Sequence, residues 1–316
     1  MREKKKIYAV VGSTASGKSR LAIDIAKELG GEIVCLDSMQ IYRSMSVGTA
    51  APTKDDKKEV PHRLFAYRDP KLAYSCSDYA KSAARQVNAI SARGALPIFC
   101  GGTGLYFDSL LYGVGGDDTP PDQEYRKYLT ELCEREGAMH LHEMLASADP
   151  EEAKKIHPNN VKRVIRALEI CREFGTKTEK DRAAREKGAL YEARVVGLRY
   201  ADRAVLVDRI CRRVEKMFAE GLVEETERLM REGVFEANAT AAQAIGYKEI
   251  LPYIRGEITL PEAKEQLCID TRQYAKRQMT WFSAKPYVNF IDCDGIENEK
   301  RYKEIVKNAI EIFQKD

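Results

Sequence analysis

The chain has one tryptophan and four histidines in 316 residues. The histidines, His62, His140, His142 and His157, show no H-E-x-x-H or similar spacing, so each reads as structural and a histidine-built metal centre has no support. No two of the eight cysteines (Cys35, Cys76, Cys100, Cys133, Cys171, Cys211, Cys268, Cys293) form a C-x-x-C pair. Each lies in an apolar pattern, as reduced core residues of a cytosolic protein do, rather than in a disulfide or zinc framework. No apolar run approaches the ~20 residues that span a bilayer, which argues against a membrane protein. The opening MREKKKIYAVVG is basic and then apolar, but its apolar part is too short for a signal peptide and leads into a Gly-rich loop instead of a cleavage site. Net charge is only +3, with 52 Lys and Arg against 49 Asp and Glu, so no global excess announces a nucleic-acid partner. Local clusters must carry any such role.

What is present is an α/β pattern. Hydrophobic residues make up 44% and charged residues 32%, the profile of a soluble globular chain. Short apolar runs at 7–12, 31–38, 96–102, 193–200 and 288–295 read as strands, separated by segments of helical period such as 18–29 and 77–91. Continuous apolar strands between helices predict a parallel sheet buried on both faces. After Gly113 the Gly-, Asp- and Pro-rich GVGGDDTPPD is a loop, and helical periods fill 122–135, 140–146 and 160–173. The charged 176–188 reads as solvated. The pattern predicts an all-helical insertion at 118–192 within an α/β core formed by 1–117 and 193–316, whose C-terminal part from 202 to 285 is mostly helical.

The most specific local signal is GSTASGKS. Gly12, Ser13, Thr14, Ala15, Ser16, Gly17, Lys18 and Ser19 fit G-x-x-x-x-G-K-[ST] between a strand and a helix. Glycines let successive N–H groups face phosphate oxygens, and the helix N-terminus adds a positive dipole end. Lys18 supplies a charge for a terminal phosphate, and Ser19 a hydroxyl for Mg²⁺. The motif predicts a P-loop NTPase-like core and nucleotide binding, with ATP or GTP as the default ligand.

Asp37 ends the second strand, followed by Ser38, Met39 and Gln40. Ligands of open parallel sheets lie beyond the carboxyl ends of the strands, so this carboxylate is a metal ligand, a general base or a turn residue. Thr103, in the GGTGLYF that ends the third long strand, is either a site hydroxyl or a helix cap. Two basic clusters follow. Lys162, Arg163 and Arg166 sit in a helix whose apolar side is Val161, Val164, Ile165 and Leu168. Arg272, Lys276 and Arg277 precede Trp281, and a basic helix interleaved with Tyr, Gln and Trp suits RNA phosphates and stacked bases, or is simply solvated.

Taken together, GSTASGKS, DSMQIYR (37–43), VPHRLF (60–65), YSCSDYA (74–80), GGTGLYF (101–107), VKRVIRALEI (161–170), QAIGYKEI (243–250) and TRQYAKRQMTWF (271–282) resemble the bacterial tRNA dimethylallyltransferases over nearly the whole chain. The resemblance implies transfer of a dimethylallyl group from dimethylallyl diphosphate to N6 of adenosine 37 in tRNAs reading codons that begin with U, with diphosphate released. It implies that Asp37 is the general base, that Lys18 and Thr103 share the catalytic site, and that the phosphate loop holds diphosphate with Mg²⁺. It implies tRNA contacts at Asp37, Ser38, Met39, Gln40, Thr103, Arg126, Lys162, Arg163, Val164, Ile165, Arg166, Gln243, Gly246, Tyr247, Lys248, Thr271, Arg272, Gln273, Lys276, Arg277 and Gln278. Arg209 and Arg213 are further diphosphate candidates. The partner is the anticodon stem-loop, and the enzyme is read as a cytoplasmic monomer.

The sequence departs from the family pattern at Ser13 (commonly Pro), Ser19 (commonly Thr) and Ser283 (frequently Arg), the last implying one phosphate contact fewer. No C-terminal Cys/His zinc finger of the eukaryotic type is present. An adenylate isopentenyltransferase acting on AMP, ADP or ATP is the alternative; it needs the phosphate loop and Asp37 but not the basic helices. A P-loop kinase lacks an identifiable acceptor site, and a non-enzymatic RNA-binding protein does not explain the phosphate loop.

Overall fold

Between Lys6 and Gly12 every residue after the first is buried, the signature of a central strand covered on both faces. The computed structural model describes residues 4–115 and 122–315. In chain order its elements are β1 (Lys6–Gly12), α1 (Lys18–Leu29), β2 (Gly31–Leu36), α2 (Lys54–Glu59), β3 (His62–Arg63), α3 (Cys76–Ala92), β4 (Leu96–Gly101), α4 (Gly104–Tyr112), α5 (Gln123–Glu136), α6 (Ala138–Ala148), α7 (Pro150–Ala153), α8 (Val161–Phe174), α9 (Lys177–Glu186), β5 (Glu192–Arg199), α10 (Arg203–Ala219), α11 (Leu222–Arg231), α12 (Val234–Ala237), a 3₁₀ turn (Ala241–Gln243), α13 (Leu251–Ile254), α14 (Leu260–Ser283), β6 (Val288–Asp292) and α15 (Glu299–Gln314).

The six strands form one parallel sheet in the order β3-β2-β4-β1-β5-β6. The expected parallel α/β core is therefore present. Its missed member, β3, is two residues pairing with Ile33 and Val34, too short to show any periodicity. Leu21, Ile25, Ile305 and Phe313 from α1 and α15 pack with Tyr8, Val10, Ile98 and Val196 of the sheet. A second cluster joins Ile41, Tyr42 and Met45 to Val214, Met217, Leu229, Tyr247 and Leu267 of the C-terminal helices. Helix ends follow local signals: α1 stops at Gly30 in the left-handed region, and α3 and α14 start at the capping boxes Ser75/Asp78 and Thr259/Glu262.

The chain divides into two compact units, Met1–Phe107 with Tyr191–Asp316, and Asp108–Leu190. The insertion start read from the sequence, residue 118, lies outside the described residues, and the boundary at 107/108 falls inside α4. Among its described residues the second unit is entirely helical, with a core of Leu129, Leu132, Leu141, Leu145, Val164, Ile165 and Leu168. The segment expected to be merely solvated is the helix α9, capped by Thr176, and none of its described residues is buried. No helix among the described residues is long and apolar enough to cross a membrane.

Phe313 is almost fully buried, with its ring centroid 5.0 Å from that of Tyr8. Truncating it removes one of the anchors of α15. Phe313→Ala is expected to lower unfolding free energy by about 3 kcal/mol, read from the urea midpoint.

Candidate active site

Three turns at the carboxyl ends of β1, β2 and β4 build the site. After β1 the chain curls as the phosphate loop. Gly12 has φ +143, and a Cβ there would lie 2.8 Å from the Leu198 carbonyl, so only glycine fits. Three of the loop's carbonyls accept side-chain hydrogen bonds. Lys18 Nζ donates to Ser13 O at 3.0 Å, Arg209 Nε to Ala15 O at 2.8 Å and the Tyr200 hydroxyl to Ser16 O at 3.2 Å. The Arg209 latch stabilises Ala15 at φ +60, a conformation costing a non-glycine residue about 1–3 kcal/mol. Ser13 Oγ and Ser16 Oγ are buried with no hydrogen-bond partner among the described residues. Ser16, unlike Ser13, lines a cavity, where an orphaned hydroxyl suits a ligand oxygen.

After β2, Asp37 Oδ1 accepts from the backbone N–H of Met39 (2.8 Å) and Gln40 (3.2 Å). Asp37 is thus a turn residue, and it also lines the larger cavity. No hydrogen bond among the described residues reaches its other oxygen. After β4, Thr103 does not cap α4. Its Oγ1 accepts from Ser38 N–H at 3.0 Å, tying the β4 turn to the β2 turn. Gln278 completes the frame: its Oε1 accepts from Thr14 N–H at 2.8 Å and its Nε2 donates to Gly102 O at 3.1 Å. A Cβ on Gly102 would lie 1.8 Å from that nitrogen. The helix α14 is thereby joined to both the phosphate loop and the β4 turn.

Two cavities share the Lys18, Ser19 and Arg213 wall. One, about 380 Å³, is lined by Ala15–Arg20 with Arg209, Arg212, Arg213 and Lys216, six cationic side chains and no acid. Four of these cations have carboxylate partners outside: Arg20 with Asp24 and Glu59, Arg209 with Glu297, Arg212 with Asp208, Lys216 with Glu220. No carboxylate of the described residues pairs with Lys18 or Arg213. Burial pulls Lys18 down to about 8, with the Arg213 charge adding to the fall and Cys100 and Asp37 opposing it. Burial also lowers Arg213, against the pull of Asp37, and its Nη2 donates to Thr49 O at 3.1 Å. The other cavity, about 410 Å³, is lined by Asp37, Ser38, Met39 and Gln40, by apolar Phe65, Val214, Met217 and Leu267, and by Gln243, Lys248, Thr271, Tyr274, Arg277 and Gln278.

The structure sorts the remaining predicted residues. On α14, Thr271 and Gln278 point inward and are buried, whereas Arg272, Gln273, Lys276 and Arg277 are exposed. Val164 and Ile165, expected as RNA contacts, both lie in the core of the second unit, and the exposed residues of that stretch are Lys162 and Arg163. Tyr247, also expected as an RNA contact, is turned inward. It is fully buried, with its hydroxyl donating to Glu225 at 2.7 Å, and neighbouring Gly246 is buried with its N–H on Glu249. Arg126 and Arg166 both pair with buried Glu169, at 2.7 and 3.3 Å, so one carboxylate offsets part of their charge. Tyr274, unassigned from the sequence, lines the larger cavity and is pushed up by burial and then by the Asp37 charge. Helical spacing was its signal, because 271, 274 and 278 share one face of a helix.

Lys18 carries its charge only below about pH 8. Affinity for inorganic diphosphate, measured by calorimetry, is expected to fall up to ~tenfold per pH unit above that point relative to Lys18→Arg, whose guanidinium stays charged. Parallel profiles for the two proteins would refute this.

The family model described as IPP transferase matches residues 40–285. A tRNA dimethylallyltransferase of Thermoanaerobacter sp. (strain X514) is 42% identical, covering 98% of this chain and 97% of the relative. One from Geobacillus thermodenitrificans is 45% identical, covering 92% of each. The solved full-length tRNA isopentenylpyrophosphate transferase of Bacillus halodurans superposes with a TM-score of 0.72 at 38% identity, covering 98% of this chain and 97% of that one. With a family match across most of its length, this chain belongs to the IPP transferase family.

Proposed function

We propose that this chain transfers a dimethylallyl group from dimethylallyl diphosphate to N6 of adenosine 37 in the anticodon stem-loop of tRNAs reading codons that begin with U. The observation that carries the reading is the wall shared by the two cavities. A cationic cleft suited to diphosphate meets, across Lys18, Ser19 and Arg213, a larger chamber holding a carboxylate and apolar side chains. A phosphorylated donor and an aromatic base fit opposite sides of that wall.

In the reaction the adenine N6 lone pair forms a bond to the allylic carbon as the carbon–oxygen bond to diphosphate breaks. The diphosphate leaves with the electron pair, and Asp37 takes the N6 proton. Adenine's exocyclic amine is weakly nucleophilic because its lone pair is delocalised, so proton removal during bond formation is worth about 10²–10⁴-fold. Lys18, Arg213 and the loop N–H groups stabilise charge building on the leaving group. Thr103 acts by fixing the Asp37 turn. The Ser19 hydroxyl and the diphosphate oxygens would hold Mg²⁺, which supplies further charge neutralisation. No group of three or more His, Cys, Asp or Glu among the described residues could hold a metal, which fits a hard cation that arrives largely on phosphate oxygens.

The target base must leave its stack to reach the chamber. Polynucleotide substrate, as opposed to AMP, is favoured by the exposed Arg272, Gln273, Lys276 and Arg277 on α14 and by Lys162 and Arg163 on α8, basic faces for which a free nucleotide has no use. A cytoplasmic, monomeric enzyme whose helical unit also contacts tRNA is part of the same proposal.

Incubation with Mg²⁺, labelled dimethylallyl diphosphate and either unmodified tRNA or AMP tests it. Label is expected in tRNA alone; label in AMP alone would establish the adenylate enzyme instead. Asp37→Asn is expected to lower turnover roughly 10²–10⁴-fold with tRNA affinity nearly intact. Lys276→Ala is expected to weaken tRNA binding and reduce the log K against log salt slope by about one, measured by filter binding. An unchanged slope would place Lys276 off the RNA.

A further inference from the structure

Glu225 lies on α11, outside both cavities, and only 8% of it is exposed. Its carboxylate gathers donors from one stretch of backbone. Oε2 accepts from Ser46 N–H (3.1 Å) and Ser46 Oγ (3.0 Å), and Oε1 accepts from Val47 N–H (2.9 Å), Gly48 N–H (3.0 Å) and the Tyr247 hydroxyl (2.7 Å). Three consecutive N–H groups converging on one anion form a nest, filled here by the protein's own side chain. The fit is close: a Cβ on Gly48 would lie 2.4 Å from Tyr247 Cζ, and one on Gly246 would lie 2.6 Å from Gly48 O. The segment is flanked by Ser44 and Ala50, both at positive φ (+64 and +45), so the backbone is strained on each side of the nest and needs an external hold.

The next residue carries the consequence. Thr49 O accepts from Arg213 Nη2 at 3.1 Å and from Gln40 Nε2 at 2.9 Å. Arg213 is the half-buried donor-side cation without a carboxylate partner among the described residues. Gln40 closes the turn whose N–H groups hold Asp37 Oδ1. One carbonyl therefore joins Arg213 to the turn that carries Asp37, and the N–H of the residue before it, Gly48, is one of those held by Glu225.

We propose that Glu225 is a positioning residue for the transfer reaction, setting through the Thr49 carbonyl the separation of Arg213 from the Asp37–Gln40 turn. The proposal rests on the reading of the two cavities as donor and acceptor sites. A reaction between two bound groups is sensitive to such spacing, and a displacement near 1 Å is worth about a hundredfold.

The test uses Glu225→Gln, Tyr247→Phe, Arg213→Lys and the double variant Glu225→Gln/Arg213→Lys. Each is measured for thermal midpoint, for binding of inorganic diphosphate and for kcat and KM with both substrates. Glu225→Gln keeps the volume but turns an amide N–H toward backbone donors; it is expected to weaken diphosphate binding about tenfold and to lower kcat by more than that. Arg213→Lys is expected to cost far less in the Glu225→Gln background than alone, since contacts sharing one anchor are not additive. Tyr247→Phe removes one donor while keeping the ring under Gly48, and is expected to shift kcat in the same direction by a few-fold. Folded Glu225→Gln with wild-type kcat and diphosphate affinity, or a full Arg213→Lys effect in both backgrounds, would overturn the proposal. If Glu225→Gln does not fold, a Tyr247→Phe protein with a lowered thermal midpoint but unchanged kinetics overturns it. Diphosphate binding needs no transfer chemistry, so absence of transfer in the unsubstituted protein would sink the functional reading while this readout still judges Glu225.

Discussion

Two cations, Lys18 and Arg213, stand half-buried with no carboxylate of the described residues paired to them. Keeping a charge partly out of water without a partner is costly, and fixed dipoles offset part of that cost. The supports are carbonyls: Ser13 O for the lysine and Thr49 O for the arginine. Both carbonyls depend on further structure, the first on the phosphate loop and its latches, the second on the Glu225 nest. The peripheral cations Arg20, Arg209, Arg212 and Lys216 are all paired with acids, which limits the uncompensated charge to the two positions facing both cavities.

The sheet makes this convergence possible. In a parallel sheet the loops after β1, β2 and β4 emerge at one edge, so the phosphate loop, Asp37 and Thr103 meet without long connections. Thr103 to Ser38 and Gln278 to Thr14 and Gly102 then lock those loops together by side chain to backbone bonds. The amide of Gln278 uses both its ends, one accepting and one donating, which fixes its orientation. One face of α14 thus ties these loops together, while Arg272 and Lys276 stand exposed and Arg277, also exposed, lines the larger cavity.

Much of this was legible in the residues themselves. The five longer strands, the phosphate loop and most helices are carried by local apolar period and by glycine and capping positions, which act over a few residues. Strand β3 was not legible because two residues hold no period. The basic strings 161–166 and 271–278 were legible as helices, and helical phase already put Val164 and Ile165 on an apolar side; it was the family resemblance, carrying each string whole, that named them as RNA contacts and left the inward role of Gln278 unseen. The burial of Tyr247 and the part played by Glu225 depend on contacts 22 and 177–179 residues apart in sequence, and no local pattern encodes a partner at that distance.

The wall of Lys18, Ser19 and Arg213 common to both cavities also bears on inhibition. A fragment mimicking the polyanion and another mimicking the base would sit back to back with only those side chains between them. Joined by a short tether, the second fragment would bind at the effective concentration set by the first, typically millimolar for short links. Selectivity over nucleotide-dependent P-loop proteins would come from the tether, because it must pass through a wall that a phosphoryl-transfer site has no reason to open.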